Sequence, residues 1–251
     1  MFGKLFSRSS AHATQPSDFS VLGMDMHSHL IPGIDDGAKT MEESLDLIRG
    51  LIQLGYSGAI TTPHVMGDYY PNTGVIIQTG WEELRRAIRQ AGLNFRLEAS
   101  AEYNLDSYTA ELFAQGDILP MPGKRILVEL SFFGAPPDLE NRIFQLRLQG
   151  YFPILAHPER YSYYIGNLSA LERIRDLGCD LQVNILSLTG HYGPQVAKWA
   201  KTLLDKDMVS YLGTDMHHVG HLQELQAALR QKDILRILQR HTFKNQDLLN
   251  L

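Results

Sequence analysis

The chain has 251 residues, of which 44% are hydrophobic and 20% are charged, so it can bury one sizeable core within a single domain. Its formal net charge of -5 provides no broad cationic field to attract nucleic acid or an anionic membrane. The single cysteine, Cys179, cannot form an intramolecular disulfide, so nothing indicates an oxidising compartment and the cytoplasm is the expected location.

Residues 1–20 are rich in Ser, Ala, Thr and Pro and lack a helical or strand period, which predicts a flexible amino-terminal arm. Basic and aromatic residues near the start are not followed by an apolar run long enough for a signal peptide. No stretch approaches the roughly 20 apolar residues that a membrane-spanning helix needs. Residues 21–251 are therefore expected to form a single domain.

From residue 21 onward, short apolar runs of β-prone residues alternate with longer segments of helical periodicity. Seven strands are expected near residues 21–26, 57–62, 94–101, 125–130, 152–156, 180–184 and 209–213. Helices are expected between them, near 41–54, 75–91, 106–115, 137–149, 167–177, 192–206 and 219–230, with one or two further turns at the end. This rhythm predicts an α/β fold with a parallel sheet and favours a closed barrel over an antiparallel sandwich.

Several helix boundaries are marked by capping residues. Thr40 followed three residues later by Glu43 fits a capping box, in which each side chain accepts a hydrogen bond from a backbone N–H at the helix start. Glycines fit the helix stop before the next strand in four successive places. They are Gly55, Gly92, Gly150 and Gly178.

Histidine, aspartate and glutamate recur at the carboxyl ends of the predicted strands. These residues are His27, His29, His64, Glu102, Glu129, His157, Asp215 and His217. In a parallel barrel this face carries the active site, because the loops from all strands converge there. Imidazole and carboxylate ligands together suit Zn, Mn or Fe, and the lack of a cysteine cluster argues against a structural zinc-thiolate site.

The spacing of these residues also favours metal binding. Alternate residues of an extended segment project to the same side, so His27 and His29 can reach one ion, as can Asp215 and His217. A carboxylate such as Glu102 can bridge two ions through its separate oxygens. A single His-X-His is weak on its own, but the agreement of six strand ends predicts a metal site.

Seven short segments that contain these residues follow one another along the chain. They are Asp25-Met26-His27-Ser28-His29, Ile34-Asp35-Asp36-Gly37, Thr62-Pro63-His64, Ala101-Glu102-Tyr103, Val128-Glu129-Leu130, Ala156-His157-Pro158-Glu159-Arg160-Tyr161 and Thr214-Asp215-Met216-His217. The set resembles the PHP (polymerase and histidinol phosphatase) superfamily, specifically its CpsB/CapC-type bacterial tyrosine phosphatases. The resemblance implies a distorted (β/α)7 PHP-type barrel and three divalent metal ions, usually manganese, with iron or zinc as alternatives.

The same resemblance implies hydrolysis of phosphotyrosine on proteins that control capsular or exopolysaccharide synthesis. The expected partner is a tyrosine-phosphorylated protein, such as a bacterial tyrosine kinase or a polysaccharide-assembly protein. No nucleic-acid partner is expected, and the oligomeric state is left open.

Transferred position by position, the resemblance implies three groups of metal ligands. The first group is His27, His29, Glu102 and Asp215; the second is Glu102, Glu129 and His157; the third is Asp36, His64 and His217. It further implies catalytic roles for His64, His157 and Arg160. The Arg160 guanidinium would bind the substrate phosphate, because its planar fork of donors matches phosphate oxygens.

One segment departs from the family pattern. Family members often carry another arginine shortly after the Asp-X-His motif, whereas this chain continues as His217-His218-Val219-Gly220-His221. Either His218 or His221 replaces that arginine when protonated, or both are solvent-facing histidines.

Three functions remain open from the sequence. The leading one is direct hydrolysis of phosphotyrosine without a cysteinyl-phosphate intermediate, because no arginine follows Cys179 in an anion-cradling loop. The second is a metal-dependent phosphatase acting on histidinol phosphate, another small phosphomonoester or a nucleic-acid end. The third is a noncatalytic, metal-binding regulatory module.

Overall fold

A computed structural model describes residues 17–249 of the chain. Its strands in chain order are β1 (Met24–Asp25), β2 (Gly58–Thr61), β3 (His64–Val65), β4 (Arg96–Ala99), β5 (Glu102–Asn104), β6 (Arg125–Glu129), β7 (Phe152–Ala156), β8 (Asp180–Asn184) and β9 (Tyr211–Gly213). Its α-helices are α1 (Met41–Gln53), α2 (Gly74–Gln90), α3 (Ser107–Gln115), α4 (Leu139–Leu148), α5 (Leu168–Asp176), α6 (Ile185–Thr189), α7 (Pro194–Asp205), α8 (Val219–Ala228) and α9 (Lys232–Arg240).

All paired strands run parallel, in one sheet ordered β1-β2-β4 and a second ordered β3-β5-β6-β7-β8-β9. The second and third predicted strands are each bent into two pieces, β2 with β3 and β4 with β5. Hydrogen bonds continue across the bends, since Ser100 N–H donates to the Thr61 carbonyl at 2.9 Å and Glu102 N–H to the Pro63 carbonyl at 3.0 Å. The two sheets are therefore one continuous wall, bent near Pro63, which has no N–H to give to a ladder.

The wall closes into a barrel between its first and last strands. Beyond the ends of β1 and β9, Ser28 pairs with Met216 in a parallel bridge. Asp215 N–H donates to the His27 carbonyl and His29 N–H to the Met216 carbonyl, both at 2.8 Å. Counting each bent strand once, seven strands form the ring, which confirms the predicted distorted (β/α)7 barrel.

The helix boundaries largely follow the sequence signals. The Thr40 hydroxyl accepts from Glu43 N–H at 3.2 Å, as expected of an N-cap. The predicted capping box is wrong in its second half, because the Glu43 carboxylate accepts from Lys39 N–H at 2.8 Å rather than from Thr40. The four glycines all have positive φ and directly follow the C-cap residues of α1, α2, α4 and α5.

Two further differences concern the start of the domain and an additional helix. Of the predicted arm, residues 1–16 lie outside the described residues, whereas Phe19 is fully buried and its N–H donates to the Leu54 carbonyl at 2.9 Å. The short helix α6 begins directly at the end of β8 and was not predicted from the sequence. No helix within residues 17–249 combines the length and the apolar character that crossing a membrane requires.

Alternation along the strands separates two parts of the core. On β6, Ile126 and Val128 pack in the larger cluster, which includes residues of the surrounding helices, while Leu127 packs in a smaller cluster. That smaller cluster also contains Met24, Ile60 and Ile154 from neighbouring strands. Glu129, two residues after Leu127, therefore projects to the same side at the strand's carboxyl end. The smaller apolar cluster therefore fills the barrel interior, and the polar side chains lie beyond it at the carboxyl ends of the strands.

Candidate metal centre

The nine predicted metal ligands converge at the carboxyl-terminal mouth of the barrel. They come from β1, β2/β3, β4/β5, β6, β7 and β9, with Asp36 added by the loop that precedes α1. Each of the nine belongs to at least one group of three or more His, Asp and Glu residues whose ligand atoms lie within 4.8 Å of one another. Most of these side chains are buried, while Asp36, His64 and His217 are partly accessible at the rim.

The first group has the spacing of ligands around one ion. His27 Nε2 lies 3.4 Å from His29 Nε2, 3.2 Å from Glu102 Oε2 and 3.4 Å from Asp215 Oδ1. His29 Nε2 lies 3.5 Å from both of those carboxylate oxygens. Ligands held at about 2.1 Å around a tetrahedral ion lie about 3.4 Å apart. The ligand atoms of His27, His29 and Glu102 all lie within 4.8 Å of one another, and so do those of His27, His157 and Asp215. The residues present therefore fit a divalent cation.

The second group shares Glu102 with the first. While Glu102 Oε2 faces His27 and His29, its other oxygen, Oε1, lies 3.0 Å from His157 Nε2. Glu129 Oε1 lies 3.6 Å from the same His157 nitrogen. The two oxygens of Glu102 thus face different ligand groups, which is the arrangement that a bridging carboxylate requires.

The third group lies at the rim. Asp36 Oδ1 is 3.5 Å from both His64 Nε2 and His217 Nε2. The His64 ring also connects this group to the other two, since its Nδ1 lies 3.1 Å from Glu102 Oε2 and 3.7 Å from Glu129 Oε2. The three groups therefore form one continuous cluster.

Several polar atoms in this cluster lack a hydrogen-bond partner within the described part of the chain. They are His64 Nδ1, His157 Nδ1, Glu102 Oε2 and Glu129 Oε2. Leaving a buried polar atom unpaired costs about 1–3 kcal/mol, and more when the atom is charged. Cations would satisfy the two carboxylate oxygens, so this observation supports metal binding independently of the distances.

The pKa values of His27 and Glu129 also favour a bound cation. Burial opposes the charged form of His27, yet the carboxylates of Glu102 and Asp215 outweigh burial and raise its pKa to about 9. Burial, together with the neighbouring Glu102 carboxylate, raises the pKa of Glu129 well above its ordinary value. A bound cation would supply the positive charge that these clustered carboxylates otherwise draw from protons.

A hydrogen-bonded network orients the first ligand group from behind. His27 Nδ1–H donates to Gln182 Oε1 at 2.9 Å, the Gln182 amide donates to Asn184 Oδ1 at 2.8 Å, and the Asn184 amide donates to Asp215 Oδ2 at 2.7 Å. The bond to Gln182 leaves His27 Nε2 free to face the cluster. Sequence reasoning missed both amides. Their only signal was two polar residues at alternate positions near the end of β8.

Asp35 performs the same task for His29. Its Oδ2 lies 2.8 Å from His29 Nδ1 and accepts from His64 N–H at 3.1 Å, while Oδ1 accepts from Gly37 N–H at 2.9 Å. Asp35 was part of a motif in the sequence but was not assigned a role. Its carboxylate orients one ligand directly and fixes the backbone of another.

Two ligands have a backbone conformation that L-residues rarely adopt. His157 has a φ of 34° and Asp215 a φ of 52°. Such conformations cost about 1–3 kcal/mol each and are concentrated at functional sites. Here they turn the chain at the ends of β7 and β9 so that both side chains enter the mouth.

Arg160 lies beside the cluster, at the wall of an open cavity of about 310 Å³. Its Nη1 donates to Asp215 Oδ2 at 3.0 Å. The guanidinium also lies over the rings of Phe132 and Tyr192, at 5.0 and 4.3 Å from their centroids. A cation held in this way is placed to bind an anionic group in the cavity.

The histidines after the Asp-X-His motif also line this cavity. His221 Nδ1 lies 3.0 Å from the Asp215 carbonyl. Burial and the neighbouring His218 and His217 lower the pKa of His221 to about 4, so His221 is neutral at pH 7 and does not supply the charge of the missing arginine. His218 is exposed at the cavity, and its role stays open.

The closed parallel barrel with this cluster at its mouth is a PHP-type barrel. Residues 23–243 match the family model described as "Capsular polysaccharide synthesis, CpsB/CapC". The matched segment spans most of the chain, and the chain therefore belongs to the CpsB/CapC family.

Named relatives agree with this assignment. The tyrosine-protein phosphatase YwqE of Bacillus subtilis (strain 168) is 27% identical over 206 residues, which cover 80% of this chain and 81% of that protein. The tyrosine-protein phosphatase CpsB of Streptococcus agalactiae serotype V is 25% identical over 205 residues, covering 78% of this chain and 83% of that protein.

Solved structures support both the family and the fold. One from a study of YwqE of Bacillus subtilis and CpsB of Streptococcus pneumoniae, described as unique metal-dependent tyrosine phosphatases, superposes with a TM-score of 0.78 at 25% identity. The match covers 90% of this chain and 94% of that chain. An amidohydrolase from Mycoplasma synoviae gives a TM-score of 0.52 at 13% identity, covering 88% of this chain and 82% of that one, which is a likeness of fold alone.

Proposed function

We propose that this chain is a metal-dependent protein-tyrosine phosphatase that hydrolyses phosphotyrosine on proteins of capsular or exopolysaccharide synthesis. The observation that carries the proposal is the cluster of nine His, Asp and Glu residues beside Arg160 at an open cavity. The relatives named above are tyrosine-protein phosphatases, and one solved relative is described as metal-dependent.

The proposed cofactors are three divalent ions, with manganese as the first candidate and iron or zinc as alternatives. The first ion would be held by His27, His29, Glu102 and Asp215, the second by Glu102, Glu129 and His157, and the third by Asp36, His64 and His217. When bound, divalent ions of this kind lower the pKa of water and neutralise charge on phosphoryl oxygens.

Arg160 is the proposed phosphate-binding residue. Its bond to Asp215 and its contact with the Tyr192 ring fix the guanidinium before substrate arrives, so that little ordering remains to be done on binding. His64 and His157 line the same cavity and are the other proposed catalytic residues, because their rings reach both the ligand cluster and the substrate space.

A cysteine nucleophile has no support. Cys179 is 2% exposed and precedes β8, and burial raises the pKa of its thiol well above the ordinary value. A buried thiol that resists ionisation is a poor nucleophile. The reaction therefore proceeds by direct attack of water on phosphorus, with a phenol of pKa about 10 as the leaving group.

The proposed partner is a tyrosine-phosphorylated protein, either a bacterial tyrosine kinase or a polysaccharide-assembly protein, encountered in the cytoplasm. A single catalytic domain over residues 21–251 is part of the same proposal, extended at its start to include the buried Phe19. The net charge of -5 disfavours long nucleic acid as a substrate.

The test is turnover by the metal-loaded protein of three substrates: a phosphotyrosine peptide, histidinol phosphate and a 5′-phosphorylated oligonucleotide. We expect phosphotyrosine to be hydrolysed fastest and His157→Ala to lower its turnover at least about 100-fold, because both a ligand and a cavity wall are lost. His241→Ala, at the end of α9 and outside the cavity, is the matched control.

The two parts of the proposal can fail separately. The substrate assignment is wrong if phosphotyrosine is the poorest of the three substrates. The site assignment is wrong if His157→Ala retains parental turnover, and metal retention without hydrolysis of any phosphoester would favour a regulatory module.

A further inference from the structure

The cavity has a charged floor and an aromatic wall. Glu129, His157 and Asp215 are the predicted ligands at the floor, while Asp36 and His64 lie at the rim. Phe132 and Tyr192 line the wall, with their ring centroids 5.0 and 4.3 Å from the Arg160 guanidinium. The mechanism proposed above uses the floor and Arg160 but assigns no task to Phe132.

The segment that carries Phe132 is fixed by two tyrosine hydroxyls. The Tyr161 hydroxyl accepts from Leu130 N–H at 2.9 Å, and the Tyr163 hydroxyl donates to the Ser131 carbonyl at 2.8 Å. Both bonds hold the backbone immediately before Phe132. The loop after β6 is therefore ordered at the point where it presents this ring.

The Phe132 ring packs against the His157 and Tyr161 rings. It stacks on the His157 ring with centroids 6.0 Å apart and an interplanar angle of 14°, and it lies 5.3 Å from the Tyr161 ring. Despite these contacts, 44% of Phe132 stays exposed. A single exposed phenylalanine is ordinary on a protein surface. Phe132 differs from such a residue, because its exposed ring packs against a proposed metal ligand and the proposed phosphate-binding arginine.

We propose, resting on the proposed phosphatase function, that Phe132 contacts the phenyl ring of phosphotyrosine and selects aryl over alkyl phosphate esters. A phosphate bound by Arg160 lies near the Phe132 ring, because the guanidinium is 5.0 Å from the centroid of that ring, and its ester oxygen can face the ring. The group attached to that oxygen then lies along the wall that Phe132 lines. A phenyl ring gains an aromatic contact there, whereas the short methylene of an alkyl ester does not reach it.

The test separates binding from turnover. Phenylphosphonate and methylphosphonate carry the same anionic head with and without a ring, and neither is hydrolysed. Binding of each to the metal-loaded full chain is measured by calorimetry for the parent, Phe132→Ala, Phe132→Tyr and the control Phe144→Ala. Phe144 is a phenylalanine of similar exposure, 48%, on α4 and outside this cavity.

We expect Phe132→Ala to weaken phenylphosphonate binding about tenfold and to leave methylphosphonate binding within about twofold. Phe132→Tyr, which keeps the ring, should bind both ligands as the parent does, and so should Phe144→Ala. Unchanged methylphosphonate binding also shows that the variant retains a folded, metal-loaded site.

Two results would overturn the inference. If Phe132→Ala weakens both phosphonates equally, Phe132 acts only by supporting Arg160. If it weakens neither, the ring makes no contact with the ligand. Failure of the phosphatase function is detected separately, as absence of turnover of a phosphotyrosine peptide by the parent protein.

Discussion

Buried amides decide the orientation of ligands in this site. Gln182 and Asn184 are both fully buried, and together they link His27 to Asp215, two ligands of the same group. Because the Gln182 carbonyl oxygen can only accept, the proton of His27 must be on Nδ1. When His27 is neutral, as a metal ligand must be, the nitrogen that faces the cluster is then the unprotonated one.

Gln182→Leu is therefore expected to weaken metal binding without removing a ligand. The substitution leaves His27 Nδ1–H and Asn184 Oδ1 unpaired, and loss of such a supporting contact typically costs about 10–100-fold in metal affinity. Titration of the chelator-treated protein with Mn²⁺ measures the change. Gln149→Leu, at an exposed position after α4, is the control. Parental affinity in Gln182→Leu would show that the amide does not set the orientation of His27.

The sequence could predict that these His, Asp and Glu residues cluster, but not the two amides. The ligands are His, Asp and Glu residues that follow apolar strands, and that combination has few structural uses. Gln182 is an uncharged polar residue within a strand, and its partner His27 is 155 positions away. Only the closed barrel brings β8 close to the end of β1, so the contact has no local signature.

At the scale of elements, helix ends that depend only on neighbouring residues could be predicted from the sequence. The glycine after each of four helices adopts the positive φ that ends a helix, and the Thr40 cap depends only on the next three residues. The bend between β2 and β3 has a local mark in Pro63. The matching bend between β4 and β5 contains no proline, and it follows from the pairing of this strand with its bent neighbour.

Two of these glycines give a matched pair for a stability prediction. Gly55 and Gly92 have φ of 98° and 66°, but a Cβ on Gly55 would lie 2.8 Å from Asp18 Cγ and 2.9 Å from Ser20 N, whereas one on Gly92 meets nothing within 4 Å. Gly92→Ala should cost about 1–2 kcal/mol in unfolding free energy, from backbone strain alone. Gly55→Ala should cost about 1–3 kcal/mol more, because the clash adds to the strain.

Urea denaturation of both variants and the parent measures the two costs. The larger loss at Gly55 would show that residues 18–20 pack firmly against the end of α1, as the buried Phe19 indicates. Equal losses in the two variants would contradict that packing.

At the scale of the whole molecule, barrel closure and the metal centre depend on each other. Eight of the nine predicted ligands follow six of the seven strands of the ring, and His27 and Asp215 lie just beyond the two strands that close it. The parallel order and the approximate strand positions could be predicted from the alternation of strands and helices. Closure of the barrel was also predicted, but the residues that pair across it, Ser28 and Met216, have no local signature because nearly the whole described chain separates them.

This dependence predicts that metal removal destabilises the entire barrel. Ions that bind the native site and not the unfolded chain stabilise it by about 2.7 kcal/mol per site at 100 times the dissociation constant. For a chain of this size, each kcal/mol shifts the melting temperature by roughly 2–4 °C. Each saturated site should therefore raise the melting temperature by about 5–10 °C, and a chelator should reverse the gain.

Calorimetric melting of the Mn²⁺-loaded and chelator-treated protein measures this shift, with His157→Ala and the control His241→Ala run alongside. His157→Ala should show a smaller metal-dependent shift than the parent, since the second ligand group loses a member, while His241→Ala should match the parent. A melting temperature that is the same with and without metal would mean that the cluster neither holds ions nor joins the strands through them. The carboxylates would then have to be stabilised by the protons on His27 and Glu129 alone.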